Sequence, residues 1–260
     1  MSDDAYRRVR DFYDELAPDY HRIFPDWDVS MARQAAMLDA LVGRRLGAGP
    51  HRMLDCACGI GTQAIGLALA GHRVVGTDLS AVAVTRAAAE AAARGTVLPA
   101  AAADMRALPF RPAAFDVVLC VDNALAHLPT DEDLDAALRD MRRVLRDDGL
   151  LVVTVRDYDE ARRTRPTATL PQVSDPGDGR GRVITFQLWH WRDDGEHYDL
   201  EHFQLVPDGT GWEVRVRRSP YRALTRARLT DAVSAAGFVD VTWHEPRSSG
   251  FYQPVLTASS

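Results

Sequence analysis

The sequence predicts an α/β fold built on a doubly wound, mostly parallel sheet of seven strands. Apolar strand-like runs alternate with helical runs from Met53 to Val155, which is the pattern of a parallel sheet with helices on both faces. The first strand leads into a glycine loop and a helix, and the second strand ends at an acidic residue. An N-terminal helical cap and a late antiparallel meander complete the predicted single domain of residues 1–260.

The cap occupies residues 1–50. Apolar residues recur at helical spacing in two stripes, one from Val9 to Leu16 and one from Ala35 to Val42. Between the stripes lies the aromatic segment YHRIFPDW, and its proline together with Pro18 predicts an irregular linker. We therefore expect two helices ahead of the sheet.

A ligand-binding βαβ unit opens the core, which spans residues 51–158. It reads MLDCACGIGTQAIGLALAGHRVVGTD from Met53 to Asp78. Gly59 and Gly61 allow a tight turn and bring a ligand close to the first turn of the helix. Asp78, at the tip of the second strand, is placed to accept hydrogen bonds from both hydroxyls of a ribose. The unit therefore predicts an adenosine-like cofactor.

Asp55 decides between two classes of such cofactor. A dinucleotide would place its pyrophosphate at the helix N-terminus, but a carboxylate shortly before Gly59 would repel that anion. The same carboxylate suits S-adenosylmethionine, because the ammonium and the sulfonium of this molecule are both positive. The pattern Asp-x-x-x-Gly-x-Gly therefore favours a sulfonium cofactor over a dinucleotide or a glycine turn with a capping Asp.

The remaining core elements follow in order along the chain. We predict a helix at 81–94 capped by Ser80, a strand at 97–102, a strand at 115–121, a helix at 134–145 stopped by Asp148-Gly149, and a strand at 150–155. Ligands bind at the carboxyl ends of parallel strands. One crevice should therefore be ringed by Asp55, Asp78, Asp104, Asn123 and Arg156.

Residues 171–222 predict an inserted antiparallel meander. After the loop SDPGDGRGR, which we expect to be mobile, alternating runs at 182–191, 197–206 and 212–221 are separated by Asp-Gly turn dipeptides. Residues 223–260 then supply a helix at 224–236 and closing strands at 239–244 and 255–258. Alternation leaves open whether the aromatic residues of the meander line a lid or form its own core: Trp189, Trp191, Tyr198, Phe203 and Trp212.

Composition excludes several functional classes. A formal charge of -6 argues against a nucleic-acid groove. The chain has no lysine, which removes a Schiff base to pyridoxal, a Walker motif and the Tyr-x-x-x-Lys pair of short-chain dehydrogenases. Its three cysteines lack metal-site spacing and read as buried thiols of a reducing compartment. Without an apolar signal or spanning segment, we expect a cytoplasmic protein that contacts no membrane, and a homo-oligomer is left open.

The motifs resemble the class I S-adenosylmethionine-dependent methyltransferases, and among them most closely the glycine/sarcosine N-methyltransferases. The likeness is carried by LDCACGIGT, VLCVDNALAHLP, VRDYD, YRALTRARL and SGFYQPVL, in matching order. It implies a Rossmann-like fold and methyl transfer from S-adenosyl-L-methionine to a small molecule, with S-adenosyl-L-homocysteine as product. The most fitting acceptor is the amine of an amino-acid-like or carboxylate-bearing substrate.

The resemblance also implies roles for individual residues. Asp55, Ala57 and Gly59 would border the methionyl part, and Arg33 would pair with its carboxylate. Gly61 would belong to the same cofactor-binding loop. For Arg33, a solvated surface arginine is an equal alternative. At the adenosine end, Asp78 would bind the ribose while Leu79, Asp104 and Met105 would surround the adenine.

On the substrate side, the resemblance assigns Arg156 to a carboxylate, for which a guanidinium fork is suited. The alternative for Arg156 is an ion pair with Asp157 or Asp159. Asn123, Tyr221 and Tyr252 match substrate-pocket positions. An amine acceptor needs little beyond alignment with the methyl group and shielding from water, whereas a hydroxyl acceptor needs a base, for which His127 is the candidate.

Other functions stay open at this point. Asp122 and Asn123 are too few ligands for a magnesium site, so we predict no metal. An O-methyltransferase of specialised metabolism is the near alternative. A NAD-dependent oxidoreductase and a non-catalytic cofactor-binding module are the alternatives from other classes.

Overall fold

The computed structural model describes residues 2–175 and 181–260. Its N-terminal cap consists of α1 (Ser2–Leu16), a 3-10 helix (Ala17–Ile23) and α2 (Trp27–Leu46). The segment predicted as an irregular linker is thus mostly helical, because proline suits the first turn of a helix and Pro18 stands there. Asp26 caps α2 by accepting a hydrogen bond from the backbone N–H of Val29 at 2.9 Å.

The core alternates strands and helices as predicted, with shifted boundaries. Helix α5 begins at Asp131 because Thr130 caps it, and strand β5 begins at Leu145 because Asp148-Gly149 lies within a bulge and does not stop the helix. Only the last three residues of the predicted third strand pair with β2. The elements are β1 (Arg52–Cys56), α3 (Thr62–Leu69), β2 (Arg73–Asp78), α4 (Ala81–Ala93), β3 (Ala100–Ala102), β4 (Phe115–Cys120), a 3-10 helix (Ala124–His127), α5 (Asp131–Val144) and β5 (Leu145–Thr154).

The meander forms a sheet of its own, separate from the core sheet. Its antiparallel order is β6-β7-β8-β9, and β6 is a fourth strand that the sequence did not predict. Residues 176–180 of the expected mobile loop lie outside the described residues. The elements from here on are α6 (Tyr158–Thr164), β6 (Gln172–Ser174), β7 (Val183–Trp191), β8 (His197–Asp208), β9 (Gly211–Arg222), α7 (Arg226–Ala235), β10 (Val239–His244), α8 (Pro246–Ser249) and β11 (Val255–Ser259).

The core sheet confirms the predicted doubly wound, mostly parallel topology. Its strand order is β3-β2-β1-β4-β5-β11-β10, with β11 antiparallel to both neighbours. Successive residues of each central strand enter opposite apolar clusters, so that Leu54 packs toward the side of α5 and α7 while Met53 packs toward α2, α3 and α4. The strand order reverses between β1 and β4, which opens a crevice at their carboxyl ends.

The cap and the second sheet cover this crevice. Helix α1 packs against β9 and α4, and β9 packs against the 3-10 helix that follows β4. Of the meander aromatics, Trp189, Trp191 and Tyr198 pack into the core cluster on the α5 side, whereas Trp212 is 49% exposed. All three cysteines are buried and free. No helix in residues 2–175 and 181–260 is long and apolar enough to cross a membrane.

Candidate active site

A cleft of about 800 Å³ lies at the carboxyl ends of β1, β2 and β4. It brings together six of the nine residues expected around the cofactor, whereas Asp55, Gly61 and Arg33 do not line it. Phenol rings from the cap, Tyr6, Tyr13 and Tyr20, form its roof. The six expected residues in its wall are Ala57, Gly59, Asp78, Leu79, Asp104 and Met105.

The glycine loop has a left-handed backbone at three positions, Ala57 (φ 70°), Gly59 (φ 54°) and Gly61 (φ 90°). A Cβ atom at Gly61 would lie 2.9 Å from the side chain of Ile65, closer than packing allows. Gly61 is therefore required by the start of α3 and not by direct ligand contact. At Gly59 a Cβ atom would make an ordinary contact with the ring of Tyr20 at 3.4 Å, so the left-handed backbone and not crowding favours glycine there.

Asp78 ties the loop to the end of β2. Its two carboxylate oxygens accept hydrogen bonds from the backbone N–H groups of Gly59 at 2.8 Å and Ser80 at 2.9 Å. Burial raises the pKa of Asp78, while these N–H groups oppose the shift. The carboxylate has lone pairs to spare beyond these two bonds, so it is able to accept from ribose hydroxyls as well.

Asp55 lies beneath the cleft floor and is completely buried. Neither of its carboxylate oxygens has a hydrogen-bond partner among the described residues. Burial, followed by repulsion from Asp78 and Asp122, raises the pKa of Asp55 to about 8. The Ala64 backbone N–H opposes this shift slightly but does not reach hydrogen-bond geometry with the carboxylate. A cleft backed by underpaired carboxylates fits a cationic ligand and disfavours a pyrophosphate.

Asp104 and its neighbours form the other end of the cleft. The Asp104 carboxylate accepts from the guanidinium of Arg106 at 2.6 Å and from its backbone N–H at 2.9 Å. The guanidinium carbon of Arg106 lies 3.5 Å from the centroid of the Tyr6 ring. Asp104 therefore caps a turn and pairs with Arg106 as well as facing the cleft. With three donors already bound, its carboxylate has about one acceptor position left for an adenine amine.

A second cavity of about 770 Å³, which we call the inner cavity, adjoins the cofactor cleft. The two share Tyr13, Tyr20 and Asp122 in their walls. Three of the four residues expected on the substrate side, Asn123, Arg156 and Tyr221, line the inner cavity directly. The fourth, Tyr252, also lines it but is 49% exposed and stands at the mouth.

Arg156 lies in the wall of the inner cavity without a carboxylate partner among the described residues. Its guanidinium donates to Tyr198 Oη at 3.1 Å and to Gln187 Oε1 at 3.1 Å. It also stacks over the Trp189 ring at 4.8 Å. The expected alternative partners of Arg156, Asp157 and Asp159, instead pair with Arg226.

Asn123 uses its side-chain amide within the protein. Its Nδ2 donates to Tyr158 Oη at 2.8 Å, and its Oδ1 accepts from the backbone N–H of Arg156 at 3.1 Å. Asn123 thereby fixes the start of the segment after β5, and through it the position of the Arg156 guanidinium.

His127 lies between the cofactor cleft and the second sheet. Its Nδ1 lies 3.2 Å from the Pro220 carbonyl oxygen, which can only accept, so Nδ1 carries the hydrogen and Nε2 accepts from Tyr13 Oη at 2.8 Å. Burial lowers the pKa of His127 to about 3, and the charge of Arg156 adds to this, while the bond to Pro220 opposes it. This imidazole is neutral and fully hydrogen-bonded.

Arg33 and Tyr252 flank an outer cleft of about 1020 Å³ that continues from the inner cavity. Arg156, Gln187 and His202 line both spaces. Arg33 is exposed and lies on α2 at this outer mouth, so its expected pairing with the cofactor carboxylate stays a prediction.

Four residues that the sequence did not single out as binding residues line the two cavities: Tyr13, Tyr20, Gln63 and Asp122. The tyrosines belong to the cap. Tyr20 opens the aromatic segment after Pro18, whereas Tyr13 lies in the first helical stripe. Asp122 was weighed only as a metal ligand. In residues 2–175 and 181–260, no group of three or more His, Cys, Asp or Glu side chains is placed to hold a metal ion.

Residues 53–149 match the family described as methyltransferase domain. A glycine/sarcosine N-methyltransferase from Aphanothece halophytica is 33% identical over 112 residues, which cover 43% of this chain and 42% of that protein. The chain spans about half the length of the curated relatives that it matches.

Solved structures share the fold over nearly the whole chain. An S-adenosylmethionine-dependent methyltransferase from Clostridium acetobutylicum gives a TM-score of 0.72 at 16% identity, covering 95% of this chain and 97% of that one. The S-adenosylmethionine-bound amino pentose methyltransferase from Micromonospora echinaspora gives 0.69 at 21% identity, covering 88% and 91%.

Proposed function

We propose that this chain, whose residues 53–149 match a methyltransferase domain, transfers a methyl group from S-adenosylmethionine to the amine of a small, carboxylate-bearing molecule. The observation that carries the substrate class is Arg156. This guanidinium is held by neutral acceptors at the wall of a cavity and lacks a negatively charged partner among the described residues. A substrate carboxylate would supply that charge.

The chain's own residues suit the donor. S-adenosylmethionine supplies a methyl carbon already activated by a positively charged sulfur. Asp78 is placed for the ribose, Asp104 and Met105 for the adenine, and the loop at Ala57 and Gly59 for the methionyl part. The two positive charges of the donor would favour the ionised form of Asp55, whose pKa is about 8 in the ligand-free protein, and the carboxylate would then attract them.

Catalysis then consists mainly of alignment and exclusion of water. Tyr13 and Tyr20 close the roof where the cofactor cleft meets the inner cavity, and Arg156 fixes the acceptor from the far side. His127 is held neutral by its two hydrogen bonds, which suits it to orienting Tyr13 and not to accepting a proton from an acceptor hydroxyl. This favours an amine acceptor over the O-methyltransferase alternative.

A radiolabelled methyl transfer assay against amino acids, their amides, simple amines and phenols tests the proposal. We expect turnover of carboxylated amines. In Arg156→Gln, loss of a charge-assisted hydrogen bond should raise KM for the carboxylated acceptor about 10- to 100-fold, with little change for its uncharged amide.

Arg163→Gln is the matched control, because the Arg163 side chain is 71% exposed on α6 and pairs with Glu160 on the surface. It should leave KM unchanged. If the KM for the carboxylated acceptor is the same in Arg156→Gln as in the parent, Arg156 does not contact the carboxylate. Methylation of phenols alone would refute the amine acceptor.

A further inference from the structure

Asp122 is the charged side chain that the cofactor cleft and the inner cavity have in common. The other two shared residues, Tyr13 and Tyr20, come from the cap, whereas Asp122 follows β4 directly. A methyl group that passes from a donor in the cleft to an acceptor in the inner cavity must cross at this junction.

The Asp122 carboxylate is only half satisfied. Its Oδ2 accepts from Gln63 Nε2 at 3.1 Å, and its Oδ1 is buried with no hydrogen-bond partner among the described residues. A buried oxygen without a donor costs free energy, so such groups in folded proteins generally serve a purpose. A ligand N–H group would complete the hydrogen bonding of Asp122.

The backbone holds Asp122 in this place at a cost. Asp122 (φ 60°) and Asn123 (φ 71°) are consecutive residues in the left-handed region, where each costs about 1–3 kcal/mol. The Asp122 N–H donates to Thr154 Oγ1 at 2.8 Å, and the Asn123 side chain turns into the protein. The left-handed backbone at these two residues therefore turns the side-chain amide of Asn123 into the protein. It leaves the carboxylate of Asp122 at the junction between the cofactor cleft and the inner cavity.

We propose that Asp122 binds the amine of the methyl acceptor and accepts its proton, while Arg156 holds the carboxylate of the same molecule, so that the substrate is a zwitterion. This rests on the proposed function. An N–H bond of the substrate ammonium breaks and an O–H bond forms on Asp122. The freed lone pair bonds to the methyl carbon as the electron pair of the carbon–sulfur bond stays with sulfur, and Asp122 later releases the proton to water.

The surroundings of Asp122 suit a proton acceptor. Burial raises the pKa of Asp122 to about 6, while the Gln63 hydrogen bond and the Arg156 charge oppose the shift. A carboxylate with a pKa close to the working pH accepts a proton more readily than an exposed one. The charged, titratable or hydrogen-bonding groups that face it are Asp55 from β1, Gln63 from α3, Tyr20 from the cap, Tyr221 from β9 and Arg156 after β5.

The first test needs no knowledge of the acceptor. Sinefungin is an S-adenosylmethionine analogue that carries an ammonium where the methyl group would stand, and S-adenosylhomocysteine has no positive charge there. In Asp122→Asn, we expect titration calorimetry to show sinefungin binding weakened about tenfold, from loss of one charged hydrogen bond. The affinity for S-adenosylhomocysteine should change by less than about threefold.

Asp147→Asn is the control for this comparison, since the Asp147 side chain is 99% exposed. It should bind all ligands as the parent does. If Asp122→Asn binds sinefungin as tightly as the parent, or loses both ligands equally, Asp122 does not face the acceptor position and the inference is wrong.

The second test uses the acceptor amine found in the assay panel. Asp122→Asn should lower kcat about 100-fold near pH 7, and the loss should shrink toward the amine pKa, where solvent supplies the neutral amine. A kcat within about threefold of the parent at every pH would overturn the proton-acceptor role. If only phenols are methylated, the proposed amine acceptor is wrong. The sinefungin measurement still shows whether the Asp122 carboxylate faces the acceptor position.

Discussion

Tyr13 Oη lies 2.8 Å from His127 Nε2, and this contact joins the helical cap to the 3-10 helix after β4 across the edge of the cofactor cleft. The ring centroids of the two residues lie 5.3 Å apart in an edge-on arrangement. The bond uses the only acceptor atom of the neutral imidazole, because Nδ1 faces the Pro220 carbonyl. His127 therefore anchors the roof of the site.

This contact predicts that His127 positions Tyr13 and does not take part in proton transfer. We expect His127→Asn to reduce kcat by less than about tenfold, whereas loss of a general base costs about 100- to 10,000-fold. The pH profile of kcat/KM should keep its shape, because a group with a pKa of about 3 does not titrate in the working range. Tyr13→Phe should give a similar loss. A vanished acidic limb in the His127 variant would instead assign it the role of base.

The buried carboxylates predict that the ligand-free protein loses stability as pH rises. Asp55 has a pKa of about 8 in the fold and an ordinary value of 3.8, so the folded state binds more protons than the unfolded state between these limits. His127 and His202, whose pKa values in the fold are about 3 and about 4, act in the opposite sense below their ordinary value of 6.5. The free energy of unfolding should therefore fall mainly between about pH 6.5 and pH 8. Thermal unfolding at a series of pH values measures this.

Asp55→Asn removes the titrating group and should flatten that pH dependence. Saturating S-adenosylmethionine should flatten it in the parent too, because a bound cation favours the ionised carboxylate. An unchanged slope in the variant would show that Asp55 does not titrate there.

Gly61 and Gly71 have similar left-handed backbones, but only Gly61 is crowded by a neighbouring side chain. Comparing alanine substitutions at the two positions therefore separates the cost of backbone strain from the cost of crowding. At Gly61 (φ 90°) an added Cβ atom would lie 2.9 Å from Ile65, whereas at Gly71 (φ 98°) it would enter open space. Gly71→Ala should cost about 1–3 kcal/mol from the left-handed backbone alone. Gly61→Ala should cost more and also weaken cofactor binding, because it displaces the first turn of α3. Equal losses in denaturant unfolding would contradict the crowding at Gly61.

A buried ion pair fastens the cap to the second sheet. Asp19 is 5% exposed and pairs with Arg215 and, at 3.2 Å, with Arg217 of β9. Asp19→Asn leaves the buried guanidinium of Arg217 without this anion, whereas Arg215 keeps its pair with Glu213. The loss should be about 3–5 kcal/mol. Because Tyr20 is the next residue, S-adenosylmethionine should also dissociate faster in stopped-flow measurements.

Asp28→Asn is the control for Asp19. Asp28 pairs with Arg94 on the surface with its own side chain 73% exposed, so the loss should stay below about 1 kcal/mol. Comparable destabilisation by both variants would mean that the Asp19 pair does not hold the cap.

The sequence was sufficient to predict the core sheet, because its strands are apolar and its glycine loop and Asp78 have a fixed spacing. The second sheet was partly predicted, since β6 has only three residues, too few to show an alternating pattern. The roles of Asp122 and Asn123 could not be separated from sequence. The two residues are adjacent and both polar, so their sequence does not say which side chain turns into the protein and which faces the cavities. The left-handed backbone at both positions decides which one turns inward. The cofactor and substrate roles of the individual residues stay predictions.

The long strand β9 stands at one edge of the second sheet, where Trp212, Val214 and Val216 are exposed. Such an edge invites strands of other molecules to pair with it. The interleaved residues Glu213 and Arg215 carry opposite charges, and Arg215 is anchored by Asp19. Edge strands often carry lysine, whose charge opposes pairing with another molecule. This chain has no lysine, so arginine provides that charge on the edge strand β9 and opposes aggregation there.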